Sequence, residues 1–256
     1  MTELARSFGR IAADYDAVRP EYAPEALARA VELLELGPDA RVVDLAAGTG
    51  TLARPLAERF PRLVAVEPDD EMRAVLAARS PGVELLAGAA ERIPLPDDSA
   101  DAVFVGDAFH WFDGPEAVAE ILRVLQPAGG VALLWNLWWE DGDDGTTDSL
   151  DPPLPPDARA LCDDIYIRSG RAAARAEKAD PAVCFADSPL GALEVEYFER
   201  TEELSGAEVV DLYTTTSAVA SLPAPDREEH KRKLSALLEP AYRLRITTIL
   251  QWGRLA

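Results

Sequence analysis

Along the first 136 residues the apolar side chains fall into short runs that alternate between helical and extended spacing. In residues 24–36, Ala26, Leu27, Ala30, Val31, Leu33 and Leu34 recur at the helical period, and Gly37-Pro38 supplies the stop. Residues 41–46 follow with Val42, Val43 and Leu45, the short apolar run of a parallel strand covered on both faces, and end in the small-residue turn of residues 46–50. The alternation repeats. Helix is predicted over 51–60, 69–79 and 115–125, with Pro55 tolerated near the first turn, and strand over 63–66, 83–86, 100–105 and 131–135. Residues 1–22 show no strong period.

Beyond Trp135 the pattern changes. Residues 140–156 are rich in Asp, Gly, Thr and Pro, which predicts an exposed loop. Helical segments are predicted around 157–178, 206–221 and 225–243, with a strand at 193–200, and Ile246, Ile249, Leu250 and Trp252 suit a last strand over 245–254. Short connections between alternating strands and helices imply a mostly parallel sheet. The predicted fold is α/β: a Rossmann-like, doubly wound sheet of seven strands with helices on both faces and a helical cap inserted in the C-terminal half. It reads as one domain over 1–256, divided into an N-terminal segment and helix (1–36), a cofactor-binding core (37–136), a cap-like elaboration with one core strand (140–243) and the final strand (244–256).

Charge narrows the partners. Acidic residues outnumber basic ones 46 to 25, a formal charge of −21 that repels phosphate backbones and anionic headgroups, so neither nucleic acid nor membrane is expected. No apolar run approaches the roughly 18 residues of a membrane span, and residues 1–10 lack the basic start and apolar stretch of a secretory signal; a cytoplasmic location is the expectation. Cys162 and Cys184 have neither the number for a disulfide framework nor a zinc spacing and read as ordinary thiols, and with only His110 and His230 no histidine-based metal site is expected. The oligomeric state stays open.

The stretch Val42-Val43-Asp44-Leu45-Ala46-Ala47-Gly48-Thr49-Gly50 sets glycines between a strand and a helix, where backbone approaches a ligand closely and N–H groups point outward. Glu67, at the end of the next predicted strand and 19 residues beyond Gly48, offers two oxygens to paired ribose hydroxyls. A nucleotide-type ligand follows. Gly48-Thr49-Gly50-Thr51-Leu52-Ala53 also satisfies the dinucleotide pattern, so an NAD(P)-dependent oxidoreductase is an alternative on these residues, although no Tyr-x-x-x-Lys pair or zinc-ligand set accompanies it.

Asp44 with its glycine turn, then Val64-Ala65-Val66-Glu67-Pro68, Gly88-Ala89-Ala90-Glu91-Arg92-Ile93-Pro94-Leu95 and Asp101-Ala102-Val103-Phe104, resemble the successive motifs of class I S-adenosylmethionine-dependent methyltransferases. Tyr15-Asp16-Ala17-Val18-Arg19-Pro20-Glu21-Tyr22 and Ala108-Phe109-His110-Trp111-Phe112 narrow the resemblance to a small-molecule subgroup similar to trans-aconitate methyltransferase-like proteins, over residues 8–135. The resemblance implies S-adenosyl-L-methionine as cofactor, with Asp44, Gly48 and Gly50 framing its methionine part, Glu67 on the ribose, and Ala90 and Glu91 beside adenine. Ala46, Pro68, Asp107, Tyr15 and Arg19 complete the implied cofactor-binding set. Two positions depart from the family pattern. Ala46 replaces its first glycine, a change a right-handed backbone accommodates, and Ala89 stands where many relatives carry a polar residue, which leaves base recognition to backbone groups.

The reaction so implied is in-line attack of an acceptor oxygen, nitrogen or carbon on the sulfonium methyl, for which the protein mainly aligns reactants and excludes water. A carboxylate acceptor needs no base. A phenol, amine or carbon acid would use His110, whose ordinary pKa of about 6.5 suits the task, or Asp107. His110, Trp111 and Trp135 are the predicted substrate pocket, with Trp138 and Trp139 as further aromatic candidates. Plainer readings stand beside these: rings filling the edge between core and cap, His110 packing the turn before Asp113 and Pro115, Glu67 and Glu91 as solvated acids, Tyr15 and Arg19 packing the N-terminal segment. A protein that binds S-adenosylmethionine without turnover is the non-enzymatic alternative.

Overall fold

The computed structural model, which describes residues 9–138, 149–168 and 179–255, is organised around β1, Val42–Leu45. All four residues of this strand are buried because successive side chains enter different cores: Val42 packs in one, Val43 and Leu45 in the other. The parallel strands β2 (Val64–Val66) and β3 (Glu84–Leu86) extend the sheet on one side of β1, and β4 (Ala100–Gly106) and β5 (Leu125–Leu137) on the other. β8 (Ala241–Arg254) then runs antiparallel to β5. β7 (Glu194–Ser205) pairs antiparallel with β8, and the short β6 (Leu150–Asp151) pairs β8 beyond the end of β5. The sheet therefore has eight strands, in the order β3-β2-β1-β4-β5-β8-β6 with β7 also on β8, where sequence predicts seven; β6 is the addition.

On one face α2 (Pro24–Leu33), α3 (Ala53–Ala57) and α4 (Asp70–Arg79) bury Leu27, Leu56 and Leu76 against Val42, Phe104 and Leu250. The other face is covered by α5 (Gly114–Val124) and α7 (Pro181–Ala186), through Ile121 and Phe185. A third apolar cluster belongs to the cap, where α6 (Pro156–Arg168), α8 (Gly206–Thr214), α9 (Ser217–Ala220) and α10 (Ala224–Ser235) pack on Leu150, Tyr242, Leu244 and Ile246.

Several boundaries differ from the pattern's prediction. The aperiodic opening contains α1 (Ala12–Val18), with Ile11 and Ala12 buried. β5 spans 13 residues because Gly130 to Leu137 pair with β8 along their whole length. The helix expected over 225–243 stops at Ser235: Pro240 cannot continue it, and β8 begins at Ala241. The helix expected over 206–221 breaks after Thr214, and the helix expected over 157–178 is seen to Arg168, with 169–178 outside the described residues. α7 falls where no helix is expected; Asp180 caps it by accepting from the Ala182 N–H at 2.9 Å. Among the described residues no helix is long and apolar enough to cross a membrane.

A buried polar node fastens the N-terminal segment to the sheet. The Thr248 hydroxyl accepts from the Ala23 N–H at 3.0 Å and donates to Asn136 Oδ1 at 2.6 Å. Asn136 Nδ2 donates to the carbonyls of Pro20 and Glu21, both at 3.0 Å, and Arg200 donates to the same Glu21 carbonyl. Thr248→Val keeps the shape but strands the Ala23 N–H in a buried site, an expected cost of about 1–3 kcal/mol. The urea midpoint should fall with the slope unchanged; an unmoved midpoint would remove the node from the stability of the fold.

Candidate functional site

The carboxyl ends of β1, β2 and β4 meet where the strand order reverses, since β1 leads outward to β2 and β4 lies on its other side; open α/β sheets hold ligands at this point. A cavity of about 590 Å³ opens there, within the size range of small-molecule sites. Ala46, Gly48, Glu67, Pro68, Ala90 and Glu91 line its sheet side. Asp107, His110 and Trp111 follow from the end of β4, Tyr15 and Arg19 from the N-terminal segment, and Tyr166, Tyr213 and Thr216 from the cap.

Three carboxylates are buried at the strand ends. Glu67 is only 7% exposed, which is incompatible with a solvated acid. Its Oε2 accepts from the Gly48 N–H and its Oε1 from the Asp69 N–H, each at 2.9 Å, so one side chain joins the glycine turn to the turn after β2. Burial holds its pKa above the usual carboxylate range. Asp44, at the penultimate position of β1, has both oxygens buried without a hydrogen-bond partner. Burial, with the neighbouring Glu67 charge adding to it, pushes its pKa up to about 8. Asp107 sits in the left-handed region at φ 49° and accepts from the Tyr22 hydroxyl at 2.9 Å and the Asn136 N–H at 3.1 Å. Burial still raises it to about 6. The contact with Tyr22 depends on Gly106, where a Cβ would lie 2.5 Å from the tyrosine oxygen.

The N-terminal segment closes the cavity from above. Asp16 is clamped between Arg54 at 2.8 Å and Arg79 at 2.9 Å, which docks α1 on α3 and α4. One turn on, the Arg19 guanidinium lies over the Tyr15 ring at 4.6 Å and the Trp138 ring at 5.2 Å and donates to the Thr215 carbonyl at 2.7 Å. Glu91 lines the cavity and also accepts from the Asp113 N–H at 3.0 Å, while Asp113 caps α5. The Cys162 thiol is pushed up to about 11 by burial, which keeps it protonated. Among the described residues no cluster could hold a metal ion.

Three sequence readings need correction. Ala46 lies at φ 57°, left-handed where a right-handed backbone was expected, a strain of roughly 1–2 kcal/mol that glycine would not carry. Gly50 does not line the cavity; a Cβ there would meet Leu76 Cγ at 2.9 Å, so its small size serves the packing of α4. Trp135 is likewise absent from the lining: its indole N–H donates to Gln251 at 2.9 Å and its ring stacks on His110 with centroids 5.5 Å apart. It therefore backs His110. Trp138 does line the cavity, and Trp139 lies outside the described residues. Sequence reasoning did not single out Tyr22 or Asn136 as site residues, nor the cap residues Tyr166, Tyr213 and Thr216; Tyr22 ends a quoted motif, whereas the cap residues carry no local signal.

Residues 43–133 match the family model described as a methyltransferase domain. An uncharacterised methyltransferase of Mycobacterium tuberculosis is 45% identical over 134 residues, 52% of this chain and 54% of the relative. Residues 43–133 are thus similar to a methyltransferase domain over about a third of the chain. A malonyl-[acyl-carrier protein] O-methyltransferase of Methylococcus capsulatus is 35% identical over 134 residues, 50% of this chain and 49% of that protein. The solved structure of a candidate type II methyltransferase from Anaeromyxobacter dehalogenans superimposes with a TM-score of 0.58 at 26% identity, covering 92% of this chain and 97% of that one. The matches span about half the length of the curated relatives.

The buried acids give the protein a defined response to pH. Asp107 and Asp44 have folded pKa values of about 6 and about 8, above their unfolded values, so their protonated forms stabilise the fold fully below about pH 4. That contribution is lost as pH rises through 6 and then 8. The unliganded protein should melt lower at pH 9 than at pH 5. Asp44→Asn should reduce this difference and gain at least about 1 kcal/mol at pH 9 by removing a buried, unpartnered charge. Thermal midpoints at the two pH values decide it, and an Asp44→Asn variant with the wild-type pH dependence would show that Asp44 does not titrate in this range.

Proposed function

We propose that the protein transfers the methyl group of S-adenosylmethionine to a small-molecule acceptor by in-line displacement, in the manner of the trans-aconitate methyltransferase-like subgroup. The observation that carries this reading is the Asp44 carboxylate, buried with both oxygens unpartnered on the cavity wall. Such a group fits a cationic ligand, because a positive charge beside it offsets the cost of its burial. The methionine part of the cofactor bears that charge.

Asp44, with Ala46 and the Gly48 backbone, is the methionine end of the proposed cofactor site. Glu67 spends one bond per oxygen on the two turns and keeps acceptor capacity for ribose hydroxyls, with Pro68 beside it. Ala90 and Glu91 take the adenine end, and Tyr15 and Arg19 cover the site. When bound, the cofactor supplies a methyl group already activated by its positive sulfur. The chain's own part is alignment and exclusion of water by the aromatic walls, Trp111 among them. In this reading His110, on the cavity wall, takes a proton from an acceptor that carries one. Asp107, with an oxygen on Tyr22 and an oxygen on Asn136, orients these groups. A soluble, cytoplasmic setting accompanies this reading.

Calorimetric titration tests it. S-adenosylmethionine and S-adenosylhomocysteine should each bind saturably and NAD should not; binding of NAD alone would return the chain to the oxidoreductase alternative. Glu67→Ala should weaken S-adenosylhomocysteine by about 1.5–3 kcal/mol, the range for hydrogen bonds to a charged group, and unchanged affinity would take Glu67 out of the ribose role. Release of labelled methyl product across a panel of acceptors separates an enzyme from a protein that only binds the cofactor.

A further inference from the structure

The cavity divides into two parts of different chemistry. Its sheet side, with Asp44 and Glu67 and the cover of Tyr15 and Arg19, is taken by the proposed cofactor site. The remainder lies between the end of β4 and the cap, and its wall is aromatic: Trp111 and Phe112 come from beyond β4, and Trp138, Tyr166 and Tyr213 from the cap side. Two acids stand on the same wall. Asp107 follows β4; burial raises its pKa only to about 6, which leaves it ionised at neutral pH. Asp163, on α6 between Cys162 and the turn that carries Tyr166, is exposed to solvent. Among the described residues of this part none is Lys or Arg, and Arg19, on the cofactor side, already donates to the Thr215 carbonyl. Ring faces attract positive charge, and paired acids without a cation repel an anion. The formal charge of −21 adds a field of the same sign.

We propose that the acceptor is an amine, bound as its ammonium ion on this aromatic and acidic wall and methylated on nitrogen; the claim rests on the methyltransferase reading above and names the acceptor class that it leaves open. An ammonium nitrogen has no lone pair to offer, so a proton must leave first. His110 lies on the same wall, its ring against Trp111 at 4.8 Å and Trp135 at 5.5 Å between centroids, and takes that proton. The nitrogen then bonds the methyl carbon as the carbon–sulfur bond breaks; the electron pair of that bond stays with sulfur, and the positive charge passes to the methylated nitrogen. The imidazolium returns its proton to solvent. A carboxylate acceptor needs no base and would bring its charge against Asp107 and Asp163, so a proton acceptor set on an acidic wall selects the amine. A phenol would suit the rings but leave both acids without a counter-charge.

The test is calorimetry on wild type, Asp163→Asn and Tyr166→Leu, each saturated with S-adenosylhomocysteine at neutral pH, with probes that share one ring and differ in charge: benzylamine, benzyltrimethylammonium, benzyl alcohol and benzoate. Both cations are expected to bind wild type, benzyl alcohol at least about tenfold more weakly, and benzoate not at all. Asp163→Asn should weaken both cations about threefold, the modest effect of an exposed charge, and leave benzyl alcohol unchanged. Tyr166→Leu should weaken the cations about fivefold and the alcohol by less. Benzoate binding as tightly as benzylamine overturns the proposal. So does benzyl alcohol binding as tightly, which would mean that the wall reads the ring and ignores the charge, and so do cation affinities indifferent to both substitutions. Asp163 is exposed and asparagine has its shape, so a folding defect in Tyr166→Leu leaves the wild-type series and Asp163→Asn to decide. Across the acceptor panel the labelled methyl should be recovered on nitrogen, and its recovery as a base-labile ester or as an aryl ether overturns the amine. Failure of wild type to bind S-adenosylhomocysteine would count against the methyltransferase reading instead, and the same probes titrated into the unliganded protein would still decide the charge preference of the wall.

Discussion

The desolvation of carboxylates at the strand ends governs the arrangement around it. Asp44, Glu67 and Asp107 are each carried into the protein by a parallel strand or the turn that follows it, and burying an ionised carboxylate without compensation costs more than the margin by which most domains are stable. The three are compensated differently. Glu67 takes two backbone N–H groups and stitches two turns together, Asp107 takes a tyrosine hydroxyl and a backbone N–H, and Asp44 takes nothing from the chain that meets hydrogen-bond geometry. A fold that leaves a buried acid without a hydrogen bond loses stability wherever that acid ionises.

The same logic explains why the N-terminal segment is fastened so firmly beside the site. Tyr22 completes Asp107 only if residues 20–23 are fixed, and they are fixed by Asn136 and Thr248, one on β5 and one on β8. Asn136 serves both ends of this chain of contacts: its side-chain amide holds Pro20 and Glu21 while its own N–H reaches Asp107. Antiparallel pairing of β5 with β8 sets the register, with Asn136 opposite Thr248. The single reversed strand thus bears directly on the geometry at the end of β4, although none of its residues lines the cavity.

Much of the sheet was legible because parallel strands covered on both faces are short apolar runs, and Val42-Val43 or Val64-Ala65-Val66 announce themselves without context. β8 was cut short for the opposite reason. Its buried residues Tyr242, Leu244, Ile246, Thr248 and Leu250 alternate at period two, but Arg243 between the first of them, and the helix-compatible residues before Pro240, made residues 241–243 look helical. β7 was extended beyond its prediction because it is an edge strand dense in glutamate, a composition that protects edges and hides them from hydropathy. β6 has two residues and exists only because β8 continues past the end of β5.

Legibility of the site divides along the same line. The sheet side is written within one stretch, Asp44 to Glu91, where each strand ends in a turn whose small or acidic residues are local requirements of backbone geometry. Position alone was insufficient even there: Gly50 and Gly48 look equivalent in sequence, yet only the fold shows that Leu76 occupies the space beside one of them and that the other is open. The cap side draws on Trp138, Tyr166, Tyr213 and Thr216, which are separated by segments of different structure and meet only through a third core. No period or motif requires a threonine at 216, and its place on the cavity wall accompanies the bond its neighbour receives from Arg19, 196 residues away in the chain. Residues that satisfy a local backbone constraint can be read from sequence, whereas residues that meet across a seam between distant segments can be read only once the seam is built.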